Sequence, residues 1–363
     1  MQDILINGKF LIAPPTGVHR VAGELTNALA RLQARGAAET LGLNLAIWYP
    51  ADGAENARAI TLPGKRVLAP TTGRLWEQVT LPLAKGRRRL LSLCNMAPML
   101  SANAITMIHD AQVHLSPASY SRAFRWWYHL VQPIIGRRHR AILTVSEFSR
   151  QAIAKAGIAP LDKIHVVHNG VDHVLSTPAD ATTLARLGLG GRPYVLGLAN
   201  TQQHKNIAVL LAAFADPALA GVDLVLFGSA DAAAFAAAGL AVPANVRFAG
   251  RVDDGALRAL MEGALALAFP STTEGFGLPP LEAMLVGCVA LVAPCGALPE
   301  VCGDAAIYLP PDSPGAWAAA IARLAADEAW RQQWRERGRH HAQYFTWERA
   351  ALRLAQVIYQ VNR

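Results

Sequence analysis

The sequence predicts an α/β protein with two parallel-sheet domains. Its 363 residues, 52% of them hydrophobic and 17% charged, are enough for two cores at roughly 150 residues per domain, which excludes a disordered chain. In both halves short apolar runs alternate with helical patterns, as in parallel strands joined by crossover helices. A polar stretch at 173–183 separates the two series. We therefore predict a first domain at 1–175 and a second at 176–346.

The first domain begins with a predicted strand at 2–6 and a helix at 18–35. The loop between them, GKFLIAPPTG, contains Gly17, which lets the backbone approach a ligand at the helix start. Further strands are predicted at 104–110, 141–150 and 164–172, the last ending in an Asn-Gly turn.

Polar side chains follow two of these strands, where ligands bind in open parallel sheets. They are His109 and Asp110 after one strand, and Ser146 and Glu147 after the other. For Ser146 we favour a helix-capping role over a functional one. For His109 we favour function over a core histidine because it stands at a strand end.

The second domain continues the alternation. Strands are predicted at 192–199, 222–228, 246–250 and 264–270. Asp253 and Asp254 open a helical pattern, so we interpret them as capping and dipole-stabilising residues and not as a metal site.

The segment FPSTTEGFGLPPLEAM, at 269–284, carries the strongest functional signal. A buried strand ends there, two glycines free the loop, and two prolines fit the first turn of the next helix. This arrangement aims backbone N–H groups and a positive helix end at one volume, which suits a diphosphate. Glu274 in the loop can accept hydrogen bonds from sugar hydroxyls, and Glu282 can bind a ribose.

A second functional signal is the segment LANTQQHKNI, which contributes a cation: Lys205 is predicted to begin a helix after a strand-end loop. A lysine at a helix N-terminus opposes the helix dipole, and an anionic ligand would remove that conflict. Together with Arg251, which follows another strand, Lys205 is expected to neutralise the diphosphate and to stabilise it as a leaving group. The alternative is a surface lysine.

Several protein classes are excluded by composition. Cys288, Cys295 and Cys302 recur without any CxxC pair, so we expect buried free thiols and neither a disulfide framework nor a zinc site. The start MQDILINGKFLIAPP lacks the pattern of a secretory signal, and no run of about 18 apolar residues is present. We expect a cytoplasmic protein.

The positive charge is concentrated in the first half of the chain. Residues 1–172 hold 20 Lys and Arg against 10 Asp and Glu, whereas residues 173–363 hold 14 against 16. Basic residues beside aromatic ones suit an anionic bilayer surface, and a solvated helix with a core-facing tryptophan is the equal alternative. Nucleic acid binding ranks low because no binding motif accompanies the charge. The candidate membrane or acceptor residues are Arg122, Arg125, Trp126, Trp127, Arg137 and Arg138.

These segments, in this order, resemble the retaining family 4 glycosyltransferases, also described as group 1. The resemblance rests on the Glu-x7-Glu spacing from Glu274 to Glu282 and covers nearly the whole chain. The other matching segments are the Gly17 loop, IHD at 108–110, TVSEFSR at 144–150, VVHNGVD at 166–172, HKNI at 204–207, FAGRV at 248–252 and PEVCGDAA at 299–306.

The resemblance implies a GT-B fold, in which two Rossmann-like domains face each other across a cleft and a C-terminal helix, here 347–363, packs back on the first domain. It implies catalytic roles for His109, Lys205 and Glu274. It implies donor binding by Gly17, Asn200, Lys205, Arg251, Glu274, Gly275, Phe276, Gly277, Leu278 and Glu282. The sequence departs from the family at Ala199 and His204, where many members carry an arginine; His204 would supply that charge only if protonated.

The resemblance also implies a metal-independent, retaining transfer of a hexose from a nucleotide-diphosphate sugar, with no cofactor. GDP-mannose is the favoured donor, and UDP-glucose, UDP-N-acetylglucosamine and dTDP-rhamnose stay open. The expected acceptor is polyprenyl-diphosphate-linked or another saccharide, at the inner membrane face, in polysaccharide or O-antigen synthesis. Two other classes stay open: a non-catalytic sugar-nucleotide or membrane-binding protein, and an epimerase or hydrolase on a similar frame.

Overall fold

The computed structural model describes residues 2–12, 16–40 and 42–361. The chain forms two compact units, one from Met1–Gly170 together with Phe345–Arg363 and the other from Val171–Tyr344. Part of the predicted Gly17 loop, residues 13–15, and the last two residues of the predicted 347–363 helix lie outside the described residues.

The first unit is built on a parallel seven-stranded sheet. Its strands are β1 Gln2–Asn7, β2 Leu43–Tyr49, β3 Lys65–Val67, β4 Arg89–Ser92, β5 Ala104–Met107, β6 Ala141–Thr144 and β7 Ile164–Val166. The order across the sheet is β3-β2-β1-β4-β5-β6-β7, with every pairing parallel. Strands β2 and β3 lie on one side of β1, and strands β4 to β7 lie on the other side, so the strand order reverses between β1 and β4. This reversal is a topological switch point.

Within the described residues, six helices of the first unit lie between these strands along the chain. They are α1 Gly17–Ala34, α2 Gly73–Leu75, α3 Leu81–Ala84, α4 Gln112–Leu115, α5 Arg122–Arg138 and α6 Glu147–Lys155. A π-helical turn, Trp76–Thr80, joins α2 to α3 without a break, and we name the whole segment the 73–84 helix. As predicted, Ser146 caps α6, because its Oγ accepts a hydrogen bond of 3.0 Å from the Ser149 N–H.

The second unit is built on a parallel six-stranded sheet. Its strands are β8 Tyr194–Leu198, β9 Asp223–Phe227, β10 Val246–Gly250, β11 Ala266–Phe269, β12 Val289–Val292 and β13 Ile307–Tyr308, in the order β10-β9-β8-β11-β12-β13. Its helices are α7 Thr183–Arg186, α8 Ile207–Phe214, α9 Ala232–Ala237, α10 Asp254–Gly263, α11 Leu278–Leu285, α12 Leu298–Cys302, α13 Pro314–Ala326 and α14 Glu328–Ala342. Asp253 caps α10 as predicted, with Oδ1 2.8 Å from the Ala256 nitrogen.

The chain returns to the first unit for its last helix, α15 Trp347–Gln360. This helix packs along α1, and Trp347 and Leu354 on its apolar side are fully buried. Gly170, where the chain leaves the unit, lies directly against the returning backbone: a Cβ at Gly170 would stand 2.2 Å from the Trp347 nitrogen. A side chain at position 170 would therefore push the two crossing segments apart.

The predicted fold class, two parallel-sheet α/β domains, is confirmed. The units divide after Gly170 and not after Leu175, because the 3-10 turn Asp172–Leu175 packs on α11 of the second unit. The return likewise falls at Phe345 and not at Trp347.

Two further expectations concern cysteines and membrane spans. All four cysteines are free; Cys288 and Cys302 are buried, but Cys94 and Cys295 are partly exposed, so the expectation of uniform burial is wrong. Within the described residues, no helix has both the length and the apolar character that crossing a bilayer requires.

Candidate active site

The loop between β11 and α11 forms the centre of the site in the second unit. Gly277 adopts the left-handed conformation, with φ at +107°, and α11 begins directly after it with proline in its first turn. The conformation favours glycine, and a Cβ at Gly277, 2.7 Å from Leu298 Cδ2, would in addition displace that side chain. Phe276 is buried, and Leu278 is the first helical residue. The N–H groups of this helix start are thereby directed out of the sheet's carboxyl edge.

A second glycine sets the position of Glu274 in this loop. Gly296 has φ at +62°, and a Cβ there would stand 2.4 Å from the Glu274 nitrogen and 2.7 Å from its carbonyl oxygen. The same carbonyl oxygen accepts a hydrogen bond of 2.9 Å from the Ala297 N–H. The loop after β12 thus holds Glu274 from behind, a contact that sequence spacing did not indicate.

The carboxylate of Glu274 forms an ion pair with Lys205. Lys205 Nζ lies 2.7 Å from Glu274 Oε1, and the two side chains are 19% and 14% exposed. Lys205 was predicted to begin a helix, but it ends a 3-10 turn, Gln203–Lys205, and α8 begins at Ile207. Lys205 therefore precedes the helix, and the predicted conflict with the helix dipole is wrong. The positive charge of Lys205 is balanced by the neighbouring carboxylate of Glu274. A phosphate must compete with Glu274 for this ammonium group.

Backbone contacts hold the Lys205 and Glu274 loops together. The Thr272 N–H donates to the His204 carbonyl oxygen at 2.8 Å. Asn206, in the left-handed conformation, donates from Nδ2 to the carbonyl oxygens of Pro270 at 3.2 Å and Pro311 at 2.7 Å. The strand ends of β8 and β11 are thus joined, which brings the two charged side chains to one point.

Glu282 is buried and lies within α11, with Oε1 3.0 Å from His173 Nε2. Sequence reasoning placed Glu282 on a ribose but missed His173, which follows the VVHNGVD segment. The sequence shows His173 only as a histidine that follows a turn. Its contact with Glu282 depends on the packing of the Asp172–Leu175 turn on α11, which the sequence does not show.

The positions where the family often carries arginine hold no cation in this structure. Ala199 is buried directly after β8, and His204 is buried as well. Burial lowers the pKa of His204, and the adjacent Lys205 lowers it further, so the imidazole stays neutral. Arg251 is exposed directly after β10, at the same carboxyl edge of the sheet. Asn200 lies in the loop that leads from β8 to Lys205, and its Oδ1 accepts a hydrogen bond of 2.8 Å from the Gln202 N–H.

His109 lies in the first unit, at the carboxyl end of β5, and is 5% exposed. Its N–H donates to Asn95 Oδ1 at 2.7 Å, and its ring Nε2 lies 2.9 Å from the Leu93 carbonyl oxygen. Because a carbonyl oxygen only accepts, Nε2 carries the proton and Nδ1 is left as the acceptor. Burial lowers the pKa of His109 to about 4, so the ring is neutral near pH 7.

Gly17 is exposed at the start of α1 in the same unit. Thr16 Oγ1 lies 2.9 Å from His19 Nδ1, and the Cys94 thiol donates to the Val18 carbonyl oxygen at 3.7 Å. The start of α1 is thereby fixed beside the end of β4. Nothing in the sequence had marked Cys94 as a neighbour of Gly17.

An ion pair that the sequence analysis missed stands at the same edge. Lys9 Nζ lies 2.6 Å from Glu77 Oε2, and Asn7 Nδ2 donates to Glu77 Oε1 at 3.0 Å. Glu77 belongs to the π-helical turn and is nearly fully buried. Strand spacing cannot reveal this pair, because the carboxylate comes from a helix 68 residues further along the chain.

The candidate membrane residues lie on α5 and divide between the two interpretations. Trp126 is 65% exposed, whereas Trp127 packs against the core and lies under the Arg74 guanidinium, 5.1 Å from the ring centroid. Arg122, Arg137 and Arg138 are exposed, and Arg125 is partly buried.

In chemical terms, the second unit offers a helix start, a lysine and two carboxylates at one sheet edge. This set suits an anionic group flanked by hydroxyls. The first unit offers a neutral imidazole and a helix start. Among the described residues, no three His, Cys, Asp or Glu side chains are grouped as metal ligands.

Comparisons with known proteins agree with this chemistry. The family model described as "Glycosyl transferases group 1" matches residues 181–341, and the model "Glycosyltransferase Family 4" matches residues 79–175. The two ranges lie side by side and together span most of the chain.

Two curated relatives match over about two thirds of their own length. O-antigen chain mannosyltransferase B of Escherichia coli is 29% identical over 256 residues, which is 68% of this chain and 67% of that protein. O-antigen chain mannosyltransferase RfbU of Salmonella typhimurium is 25% identical over 267 residues, 69% of this chain and 68% of that protein.

Among solved structures, Anabaena HepE in complex with UDP and glucose is similar in fold. Its TM-score is 0.74 at 19% identity, and the match covers 99% of this chain and 100% of that one.

Proposed function

Because the chain belongs to the group 1 glycosyltransferases of family 4, we propose that it transfers a hexose from a nucleotide-diphosphate sugar. The acceptor is a lipid-linked or other saccharide of polysaccharide or O-antigen synthesis, and GDP-mannose is the donor to test first. The observation that carries the proposal is the Lys205–Glu274 pair, 2.7 Å apart beside the glycine-led start of α11.

The roles follow from the charges at that point. The helix start and Lys205 bind the diphosphate, and Glu274, released from the lysine, accepts hydrogen bonds from hexose hydroxyls. Glu282, held by His173, binds the ribose. Arg251 adds the positive charge that Ala199 and the neutral His204 do not supply. With these cations present, the leaving diphosphate is stabilised without a divalent metal.

Stereochemistry follows from the absence of a nucleophile in the proposed roles. Glu274 is occupied by the hexose hydroxyls, so we infer front-face attack in which the leaving diphosphate takes the acceptor's proton and the configuration is retained. The neutral His109 contributes Nδ1 as a hydrogen-bond acceptor for a sugar hydroxyl. The protein's contribution is then positioning and electrostatic stabilisation.

The choice of mannose rests on the two O-antigen mannosyltransferases at 25% and 29% identity. The Anabaena structure contains UDP and glucose and keeps UDP-glucose as the alternative donor. UDP-N-acetylglucosamine and dTDP-rhamnose complete the set of donors to compare.

A panel of these four donors, screened by thermal shift, tests the donor site. A ligand at 100 times its Kd stabilises the folded state by about 2.7 kcal/mol, so the true donor is identified by saturation at low concentration. Lys205→Met should abolish the shift, and Lys155→Met, an exposed lysine of the first unit, is the matched control. A full shift in Lys205→Met would remove the assignment of this site.

Catalysis is tested by release of nucleoside diphosphate with and without a crude lipid-linked acceptor. Acceptor-dependent release supports a transferase, release without acceptor supports a hydrolase, and donor binding without release supports a non-catalytic binding protein. NMR of the product's anomeric centre decides between retention and inversion.

Membrane association completes the proposal. The exposed arginines of α5 bind anionic lipid, which places the enzyme peripherally on the inner membrane face, where a polyprenyl-diphosphate acceptor is found. Replacing Arg122, Arg125, Arg137 and Arg138 together should weaken association with anionic liposomes, and unchanged association would contradict this part.

A further inference from the structure

The 73–84 helix of the first unit is apolar on two sides. One side buries Trp76 and Leu81, which anchor the helix to the core. On the other side Leu75, Val79 and Leu83 recur every fourth residue and are 57%, 45% and 80% exposed. A helix in water ordinarily keeps a polar outer face, so these three side chains are arranged for something other than solvent.

Two elements that contact this helix also carry exposed apolar side chains. Gln78 donates from Nε2 to the Ala97 carbonyl oxygen and accepts from the Met99 N–H, both at 3.0 Å, which fixes the loop carrying Leu100, 74% exposed. Arg74 stacks over Trp127 of α5, the helix that also exposes Trp126 and Leu130. We name Leu75, Val79, Leu83, Leu100, Trp126 and Leu130 the apolar ridge.

The apolar ridge belongs to a segment of the chain that is rich both in exposed apolar side chains and in positive charge. Of the twelve large apolar side chains that are exposed in the described part of the chain, seven lie between positions 75 and 130. Residues 73–140 contain ten Lys and Arg and two Asp and Glu, and one of those two acids is the buried Glu77. The segment therefore combines exposed apolar groups with almost purely basic charges.

We infer that the apolar ridge inserts into the headgroup region of an anionic bilayer while the arginines around it bind lipid phosphates. A partner protein would have to offer an acidic rim around an apolar groove, whereas an anionic bilayer supplies both chemistries at every point of its surface. The ridge extends the membrane contact proposed above from the charges of α5 to a second helix. The inference rests on the proposed function for its purpose, access to a lipid-linked acceptor.

The two parts of the contact respond differently to salt. Arginine contacts weaken as ionic strength rises, because surface charges are screened over about 10 Å at 0.1 M salt. Insertion of leucine side chains is insensitive to salt, since it follows from removal of apolar area from water. Vesicle binding that is reduced but not abolished by salt is therefore expected for the wild-type protein.

The test is cosedimentation with vesicles of phosphatidylcholine, alone or with phosphatidylglycerol, in the absence of donor and acceptor. The ridge variant is Leu75→Gln, Val79→Gln and Leu83→Gln together, and its matched control is Val67→Gln, Leu161→Gln and Val242→Gln, which are also exposed. We expect the partition coefficient of the ridge variant on anionic vesicles to fall at least about tenfold, and that of the control to stay at the wild-type value.

Three results would overturn the inference. The first is that the wild-type protein does not bind anionic vesicles, and the second is that the ridge variant binds them as tightly as the wild type. The third is that the wild type is a dimer and the ridge variant a monomer, with no change in vesicle binding. The donor thermal shift is measured on the same variants. Loss of vesicle binding with an intact donor shift supports the ridge alone, whereas a wild-type protein without any donor shift refutes the proposed function independently of the membrane.

Discussion

Replacing Glu274 with glutamine should strengthen the binding of a nucleoside diphosphate while it suppresses transfer. In the structure Lys205 Nζ lies 2.7 Å from Glu274 Oε1, and both side chains are more than four-fifths buried, so a phosphate that approaches the ammonium meets the negative charge of the carboxylate. Glutamine keeps the shape of the side chain but removes the competing charge. The lysine is then available to the phosphate, and the diphosphate no longer faces a carboxylate.

The size of the gain follows from the difference between two kinds of hydrogen bond. Hydrogen bonds that involve a charged group contribute about 1.5–3 kcal/mol. The ion pair lies at the upper end of this range and a bond from Lys205 to a neutral amide at the lower end, so the variant gives up about 1.4 kcal/mol less when Lys205 turns to the phosphate. That corresponds to a Kd about tenfold lower. Transfer should fall by a factor of about 100 or more, because the hydroxyl contacts of the hexose lose their charged acceptor.

Isothermal titration with the nucleoside diphosphate measures the first effect, and steady-state release of the same product measures the second. Lys205→Met should weaken diphosphate binding, and Glu274→Gln should not rescue it in the double variant. A Glu274→Gln protein that binds the diphosphate more weakly than the wild type would refute the competition between carboxylate and phosphate.

Four further results are expected. Gly296→Ala should lower the Tm and abolish donor binding, since its Cβ would stand 2.4 Å from the Glu274 nitrogen. Its control is Gly157→Ala, with a similar φ of +69° and no neighbour within 4 Å, which should lower the Tm without affecting donor binding. Gly136→Ala places a Cβ 1.9 Å from the Ile158 carbonyl oxygen and should cost about 3 kcal/mol of unfolding free energy, while Gly23→Ala, which meets no atom within 4 Å, should stabilise α1; chemical denaturation measures both. His173→Ala leaves Glu282 buried without this partner and should raise the Kd of the donor about tenfold in titration calorimetry. Burial lowers the pKa values of His109 and His139 to about 4, from an unfolded value near 6.5. Between these two pH values the unfolded state binds more protons, so the free energy of unfolding should fall by about 3 kcal/mol per histidine on acidification. A flatter dependence of Tm on pH for His139→Gln would verify this, and an unchanged dependence would contradict it.

The two-sheet fold was predictable because each buried strand is a short apolar run with a clear end. The strand predicted at 264–270 occupies Ala266–Phe269, and the following Gly and Pro residues mark a loop and a helix start that the structure contains. Period and turn chemistry are local properties, so a single sequence carries them.

The partners of the site residues were not predictable, because they come from distant positions. Gly296 supports Glu274 through a close backbone contact, and His173 reaches Glu282 only after the turn that carries it has docked on α11. Lys205 shows the same limitation: its position after a strand indicated a phosphate site, but the ion pair depends on the packing of two separate loops. Charge and spacing indicate which residues are chemically unusual, and tertiary contacts decide which of them meet.

The order of the chain has a consequence for biosynthesis. The first unit is interrupted after Gly170 and completed by Trp347–Gln360, so the apolar side of α1 lacks its covering helix until these residues have been translated. The second unit, although later in sequence, is contiguous and ends at Tyr344, so all of its residues precede the segment that completes the first unit. A released chain that ends before Phe345 should therefore contain one protease-resistant half and one half that still depends on chaperones.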